Sequence, residues 1–216
     1  MGEGLCPRGG DSSTAMSIQT AALGNDGDIF VGGSFESRVW DGHHFVNVYH
    51  VAHFDGRKSS WLPLVGSQLS SDNSQIMPRV NTLSWDAEGS VLYLGGSFYA
   101  VEGNEITPGL AMWTESSGLL PFPGGGLFRD SLGVSGVALR IAYEPTSNAL
   151  FVAGLFRMVN DIPCQNIAVW IKRTNEWVCL YQSSKAFSTV TSMLLHNDKV
   201  YVTGAYVNLL TDWHAM

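Results

Sequence analysis

A short hydrophobic strand followed by two small residues and an aromatic occurs four times along this 216-residue chain. The copies start at residues 29, 92, 150 and 200, so they are 63, 58 and 50 positions apart. A period near fifty residues is typical of repeat architectures. One such unit cannot bury its own hydrophobic face, and the units must therefore stack against one another. The copies are residues 29–35, 92–98, 150–156 and 200–206.

Each copy belongs to a predicted unit of antiparallel strands. A hydrophobic segment and a turn rich in Asp, Gly or Asn precede it, which is the pattern of a hairpin. In the first three units, a strand ending in an aromatic residue and then a fourth strand follow. Four antiparallel strands per unit predict an all-β chain, a β-propeller with about three and a half blades. The predicted blades are 18–64, 80–122, 139–180 and the half-blade 190–216, after a non-repeat leader at 1–17. The half-blade is predicted to have two strands, and its third strand would begin only at residue 213.

The small and the aromatic residues of the repeat are predicted to be structural. Small residues allow the marked strand to pack closely on its neighbour, and aromatic rings fill the space between blades. The repeat glycines are Gly32, Gly33, Gly95, Gly96, Gly154 and Gly204, and the aromatic residues are Trp61, Trp85, Trp113, Trp170 and Trp177.

The order of these features resembles the kelch repeat: a strand ending in Gly-Gly, then an aromatic residue, then a Trp one turn further on. Gly95-Gly96-Ser97-Phe98 followed by Leu110-Ala111-Met112-Trp113 is similar to the kelch-type propellers of Rax2-like cell-surface proteins. The resemblance covers residues 18–206 and departs from the pattern at Ala153, Thr203 and Phe54. It implies a propeller that works at the cell surface or in cell polarity.

Three and a half blades do not close a ring, because propellers usually have four to eight. An open arc would expose sheet edges and an apolar blade face. We favour a partial chain as the explanation. The alternatives are completion of the ring by a partner or a second copy, and a small closed barrel, which is the least favoured.

Composition narrows the function classes. Only 14% of the residues are charged, against roughly 25% in an average domain. The net charge of −7, without a basic stripe, argues against a nucleic-acid partner. No apolar run approaches the ~18 residues that span a bilayer, so membrane insertion of this segment is not predicted. Cys6, Cys164 and Cys179 predict neither a disulfide framework nor a metal knuckle, and the compartment stays open.

Long connections on one side of the units form the predicted binding surface. They join the second strand to the third at 36–50, 99–108 and 157–165, and the fourth strand to the next unit at 65–79 and 123–137. The opposite connections are short turns. Asp41, His43, His44 and His50 are ligand types for a transition metal, but their spacing matches no known motif, and neither a metal site nor a cofactor is predicted. The candidate binding residues are Trp40, Asp41, His43, His44, Phe45, Met77, Arg79, Phe128, Arg129 and Asp130.

No catalytic constellation is evident in the sequence. Gly124-Gly125-Gly126-Leu127 lacks the Lys-Ser/Thr of a phosphate loop, and no Ser-His-Asp group stands out. We therefore predict a non-catalytic scaffold that binds a protein partner. The alternative is a secreted carbohydrate-binding or copper-oxidase-type propeller whose decisive residues lie in blades outside this chain. Copper oxidases of the galactose oxidase kind need a Cys cross-linked to a Tyr, and we cannot place such a set here.

Overall fold

The protein is an all-β chain built from antiparallel sheets. The computed structural model describes residues 5–7, 17–40, 43–64, 69–71, 77–101, 105–180, 189–197, 199–205 and 209–212. Within these residues the helical element is one 3-10 turn, Asn25–Gly27, and no helix is long and apolar enough to cross a membrane. The strands in chain order are β1 Cys6–Pro7, β2 Ser17–Leu23, β3 Ile29–Trp40, β4 Phe45–Asp55, β5 Ser60–Pro63, β6 Leu69–Ser70, β7 Arg79–Asp86, β8 Val91–Ser97, β9 Ala100–Val101, β10 Glu105–Ile106, β11 Leu110–Thr114, β12 Gly118–Pro121, β13 Leu127–Phe128, β14 Val137–Glu144, β15 Ala149–Leu155, β16 Met158–Val159, β17 Ile162–Pro163, β18 Ile167–Ile171, β19 Glu176–Cys179, β20 Val190–His196, β21 Lys199–Gly204 and β22 Leu209–Asp212.

Four main sheets repeat one strand order, and we call them units 1 to 4. Unit 1 contains β2, β3, β4 and β5, and unit 2 contains β7, β8, β11 and β12. Unit 3 contains β14, β15, β18 and β19, and unit 4 contains β20, β21 and β22. Consecutive strands of a unit pair antiparallel, so each sheet is a meander whose first strand is an edge.

A β-bulge recurs at one position in the first strand of every unit. The small residues of the repeat lie opposite it, and a Cβ added to the second of them would lie within 3.0 Å of a carbonyl oxygen at or just before the start of the first strand. No side chain fits there, so all four units carry glycine: Gly33, Gly96, Gly154 and Gly204. The bulges fall between Ile18 and Thr20, Val80 and Thr82, Ala138 and Arg140, and Val190 and Ser192.

Consecutive units pack through clusters of buried side chains. Between units 1 and 2, the Phe30 ring lies 5.2 Å from Trp85 and 5.5 Å from Trp113. Between units 2 and 3, the Phe122 ring lies 4.7 Å from Trp170 and 5.9 Å from Trp177. The cluster between units 3 and 4 is mainly aliphatic. The remaining repeat tryptophan, Trp61, packs on a cluster within unit 1 that also includes Val31, Phe35, Val39, Val48 and Ala52.

Hydroxyl groups add hydrogen bonds between the first strands of neighbouring units. The Leu83 N–H donates to Thr20 Oγ1 at 3.2 Å. The Ile141 N–H donates to Thr82 Oγ1 at 3.1 Å, and the Tyr143 N–H donates to Ser84 Oγ at 2.9 Å. A first strand is an edge of its sheet, so some of its N–H groups have no partner within that sheet. The hydroxyls accept hydrogen bonds from these N–H groups.

Strands also occur where the sequence pattern predicts none. β1 lies inside the predicted leader and pairs with Arg38 and Ser37 of β3. Unit 4 has a third strand, β22, paired with β21, whereas we expected this strand to begin only at residue 213. Strands as short as β1 cannot show an alternating pattern, and pairing with a neighbour defines them instead.

Candidate binding surface

The connections between second and third strands form hairpins. In unit 1, β3 and β4 continue beyond the main sheet, and residues 36–40 pair with 45–49. Units 2 and 3 have shorter hairpins made by β9 with β10 and by β16 with β17. The loops predicted at 36–50, 99–108 and 157–165 therefore contain paired strands, since pairing satisfies their backbone groups.

The segment that precedes each of these units pairs with the hairpin of that unit. Three short strands do this at equivalent positions: Cys6 pairs with Arg38, Leu69 with Val101, and Leu127 with Val159. The two kinds of long connection are thus hydrogen-bonded together on one side of the units, which we call the hairpin side. The predicted leader contributes β1 to it, in the place that β6 and β13 occupy in units 2 and 3.

The opposite side, which we call the turn side, consists of short turns, and carboxylates of Asp55, Asp86 and Glu144 close three of them. Asp55 Oδ1 accepts the N–H groups of Arg57 and Lys58, and Asp86 Oδ1 accepts those of Glu88 and Gly89. Burial raises the pKa of Asp86, but hydrogen bonds from the Lys172 ammonium and the turn amides outweigh burial and hold it below its usual value. These carboxylates stabilise turns and are not free for other chemistry.

The unit 1 hairpin has one buried and one exposed face. Val39 and Val48 point inward and are buried. The cross-strand pair Trp40 and Phe45 lies on the exposed face with ring centroids 5.2 Å apart, and the two side chains are 47% and 57% exposed. His43 and His44 are exposed at the tip, and Asp41 lies outside the described residues. Exposed aromatic side chains on a rigid hairpin are suited to anchoring a partner.

The other predicted binding residues are spread along the hairpin side. Met77 and Arg79 are exposed just before and at the start of β7, and Arg129 is exposed after β13. Phe128 is half-buried and pairs with Met158. Asp130 accepts the N–H groups of Leu132 and Val134, so it shapes its own turn. Among all the predicted residues, the structure brings Trp40 and Phe45 into ring contact.

Four exposed apolar side chains on the same side were missed. Ile106 and Ile162 lie on the hairpins of units 2 and 3, and Leu132 and Val134 lie in the connection that enters unit 3. A single apolar residue inside a polar connection gives a weak signal. The equivalence of the three hairpins is what makes these positions recognisable.

His50 occupies a strained and buried position at the base of the unit 1 hairpin. Its φ of 61° matches those of Asn166 and Gly109, which precede the third strands of units 3 and 2. Asn and Gly tolerate this left-handed conformation better than most residues. The His50 Nδ1 has no hydrogen-bond partner, and burial lowers the pKa of the imidazole to about 4. Within the described residues, no three His, Cys, Asp or Glu side chains form a group that could hold a metal ion.

A disulfide joins Cys164 and Cys179 in unit 3, with Cα atoms 5.3 Å apart. The expectation that the cysteines form no disulfide is therefore wrong. Cys164 lies in the connection before β18, and Cys179 ends β19 opposite Ala168. The two residues thus bracket one hairpin, and its register brings them together although they are 15 positions apart.

Neither a family model nor a curated protein matches this chain. One similar solved structure is the extracellular domain of the one-component system BT4673 from B. thetaiotaomicron, with a TM-score of 0.54 and 11% identity. The match covers 90% of this chain and 21% of that chain, so this chain spans about a fifth of its length. A second match, described as the extracellular domain of the hybrid two-component system BT4673 from B. thetaiotaomicron, has a TM-score of 0.46 and 10% identity over 95% and 28% of the two chains. At such identity the first match concerns the fold alone.

Proposed function

We propose that units 1 to 4 are consecutive blades of a kelch-like β-propeller. Support comes from the first residue of each bulge, whose side chain faces the preceding unit. Val80, Ala138 and Val190 are 0% exposed at this position, whereas Ile18 in unit 1 is 52% exposed. Leu23 of unit 1 is also 75% exposed. A blade needs a neighbour to cover this face, and further blades or another chain would complete the ring.

The function that we propose for this propeller is a non-catalytic scaffold that binds a protein through the hairpin side. One observation carries this proposal: each of the three described hairpins presents exposed apolar side chains, namely Trp40 and Phe45 in unit 1, Ile106 in unit 2 and Ile162 in unit 3. On the turn side, by contrast, carboxylates close three of the turns. Apolar and aromatic anchors on a rigid framework are typical of protein interfaces.

The disulfide is informative about the cellular compartment and about the copper-oxidase alternative. Disulfides persist in oxidising compartments, which supports the cell-surface setting that the kelch-type resemblance implies. A copper oxidase of the galactose oxidase kind would need a free cysteine for its cross-link to tyrosine. Cys164 and Cys179 are bonded to each other, so neither is available for that role. A copper oxidase would therefore need its cysteine elsewhere, and we prefer the binding scaffold because of the exposed apolar side chains on the hairpins.

Site-specific photo-crosslinking tests the proposed binding side. A photoreactive phenylalanine replaces Phe45 on the hairpin side in one sample and Thr146 on the turn side in the matched control. Both positions are exposed, so both variants should fold. We expect a discrete protein adduct from position 45 in cells of the source organism, lost when Trp40→Ala is added. Equal adducts from the two positions, or adducts that Trp40→Ala leaves unchanged, would contradict the proposal.

A further inference from the structure

The third strand of unit 1 has an edge that no other strand covers within the described residues. β4 pairs with β3 along residues 45–49, but with β5 only at 52–55. Along Val46, Asn47 and Val48, the side away from β3 therefore carries backbone N–H and C=O groups without a ladder partner in this part of the chain. Such an edge is a template for pairing with another strand.

This edge lacks the devices that usually prevent pairing. Proteins protect edge strands with Lys, Pro, bulges or inward-pointing charges. Residues 45–49 read Phe-Val-Asn-Val-Tyr, without charge or proline, in a chain of net charge −7. The register irregularity of β4 lies next to His50, beyond these residues, and does not interrupt them. β-branched and aromatic residues also favour an extended strand.

The segment is self-complementary about Asn47. Two copies of one strand pair antiparallel around a two-fold axis. Residues that lie opposite each other in an antiparallel pair have their side chains on the same face of the sheet. Val46 and Val48, whose side chains point inward, must therefore lie opposite inward-pointing residues of the second copy. This condition holds only when the two-fold axis passes through a residue and not between two residues. With the axis at Asn47, each Val46 lies opposite Val48 of the second copy. The two Asn47 side chains then face each other as donor and acceptor, and Phe45 lies beside Tyr49 of the second copy.

The geometry points to a second copy of this chain as the occupant of this edge. The two β4 strands pair antiparallel along residues 46–48, and the strands of the two unit 1 hairpins form one continuous sheet across the axis. This inference goes beyond the proposed scaffold function, because it rests on the backbone edge of β4, and of the exposed hairpin side chains only Phe45 would contact the second copy.

The test is the oligomeric state of the chain, measured by sedimentation velocity across micromolar concentrations. We expect a monomer–dimer equilibrium for the unmodified chain and a monomer for Asn47→Lys, which places two ammonium groups at the axis. The matched control is Arg38→Gln, because Arg38 is the cross-strand neighbour of Asn47, but on the covered strand β3. A synthetic peptide of residues 44–50 should dissociate the dimer by competing for the edge.

Two outcomes would overturn the inference. One is a chain that stays monomeric at every concentration. The other is a dimer that Asn47→Lys and the peptide both leave intact, because association would then run through another surface, such as the exposed face around Ile18. Both outcomes are separable from the crosslinking experiment, because a position-45 adduct that contains two copies of this chain has twice the mass of the chain and is lost in Asn47→Lys, whereas an adduct with a different protein has another mass and persists.

Discussion

The contact between units 2 and 3 and the contact between units 3 and 4 use equivalent backbone positions but different side chains. The first contains several aromatic rings and three side-chain hydrogen bonds between first strands, made by Asn81, Thr82 and Ser84. At the equivalent positions of unit 3 stand Leu139, Arg140 and Ala142, and the described residues show none of these bonds to unit 4. The second contact therefore depends mainly on aliphatic packing.

This difference shows that the repeat fixes the arrangement of the units but not the strength of each contact. The Lys172 ammonium also lies 2.6 Å from Asp86 Oδ2, which adds an ion pair between units 3 and 2. Parts of a protein with fewer buried and polar contacts open at lower free energy. We thus expect unit 4 to open before units 2 and 3 separate.

The largest expected effect comes from Trp170→Ala compared with Phe151→Ala. Trp170 packs in the cluster between units 2 and 3, and Phe151 packs in the cluster between units 3 and 4. Removing a buried aromatic side chain costs about 3–5 kcal/mol. Trp170→Ala should lower the free energy of unfolding of the whole chain in urea. Phe151→Ala should raise amide exchange mainly in β20 and β21. If both variants raised exchange equally in all units, the proposed difference between the contacts would be wrong.

A smaller effect is expected from Gly95→Ala, which overfills the contact between units 2 and 3. An added Cβ would lie 2.7 Å from Thr82 Cγ2 and 3.0 Å from both Ala138 Cβ and Ile141 Cγ2. Overpacking of this kind costs about 1–3 kcal/mol. Urea denaturation should show a loss in this range. The control is Ala153→Gly at the equivalent position of unit 3, which removes a methyl group from the looser contact. A neutral Gly95→Ala variant would mean that the neighbouring side chains can move apart.

Lys172→Met tests the ion pair between units 2 and 3. Asp86 is 1% exposed and would lose its cation. Breaking a fully buried pair costs about 3–5 kcal/mol, and we expect a smaller loss here because Lys172 is 31% exposed. The pKa of Asp86 is lowered in the folded state, so this contribution is present above the ordinary carboxyl pKa of 3.8 and is lost as the pH falls through the lower folded value. Urea midpoints of both proteins should therefore differ at pH 7 and converge in acid. A constant difference across that range would contradict the role of Asp86.

The sequence predicts the repeat well because steric constraints at single positions determine which residue can occupy them. Gly96 and Gly204 are recognisable since no other residue fits beside the first-strand carbonyl. Trp113 and Trp170 are recognisable since a large aromatic residue recurs near the end of the third strand. Pairing that depends on distant partners is not readable in this way. β1 and the Cys164–Cys179 bond exist only because the fold brings separate segments together.

The candidate surface could be predicted for unit 1 and less well elsewhere. Trp40 and Phe45 stand out because two aromatic residues flank a short polar turn. Asp130 was chosen for its charge, yet it binds the amides of its own turn. Ile106 and Ile162 carry no local signal, and only the alignment of the three hairpins reveals them.

The smallest expected effect would strengthen the weaker contact. Arg140 occupies the position of Thr82, whose hydroxyl accepts the Ile141 N–H of the next unit. In unit 4 the residue equivalent to Ile141 is Met193. Arg140→Thr should supply an acceptor for the Met193 N–H and stabilise unit 4 by about 1 kcal/mol. Slower amide exchange in β20 is the measurement. Arg140→Val is the control, since valine has the shape of threonine without the hydroxyl. Equal slowing of exchange in both variants would show that removal of the arginine, and not the new hydrogen bond, tightens the contact.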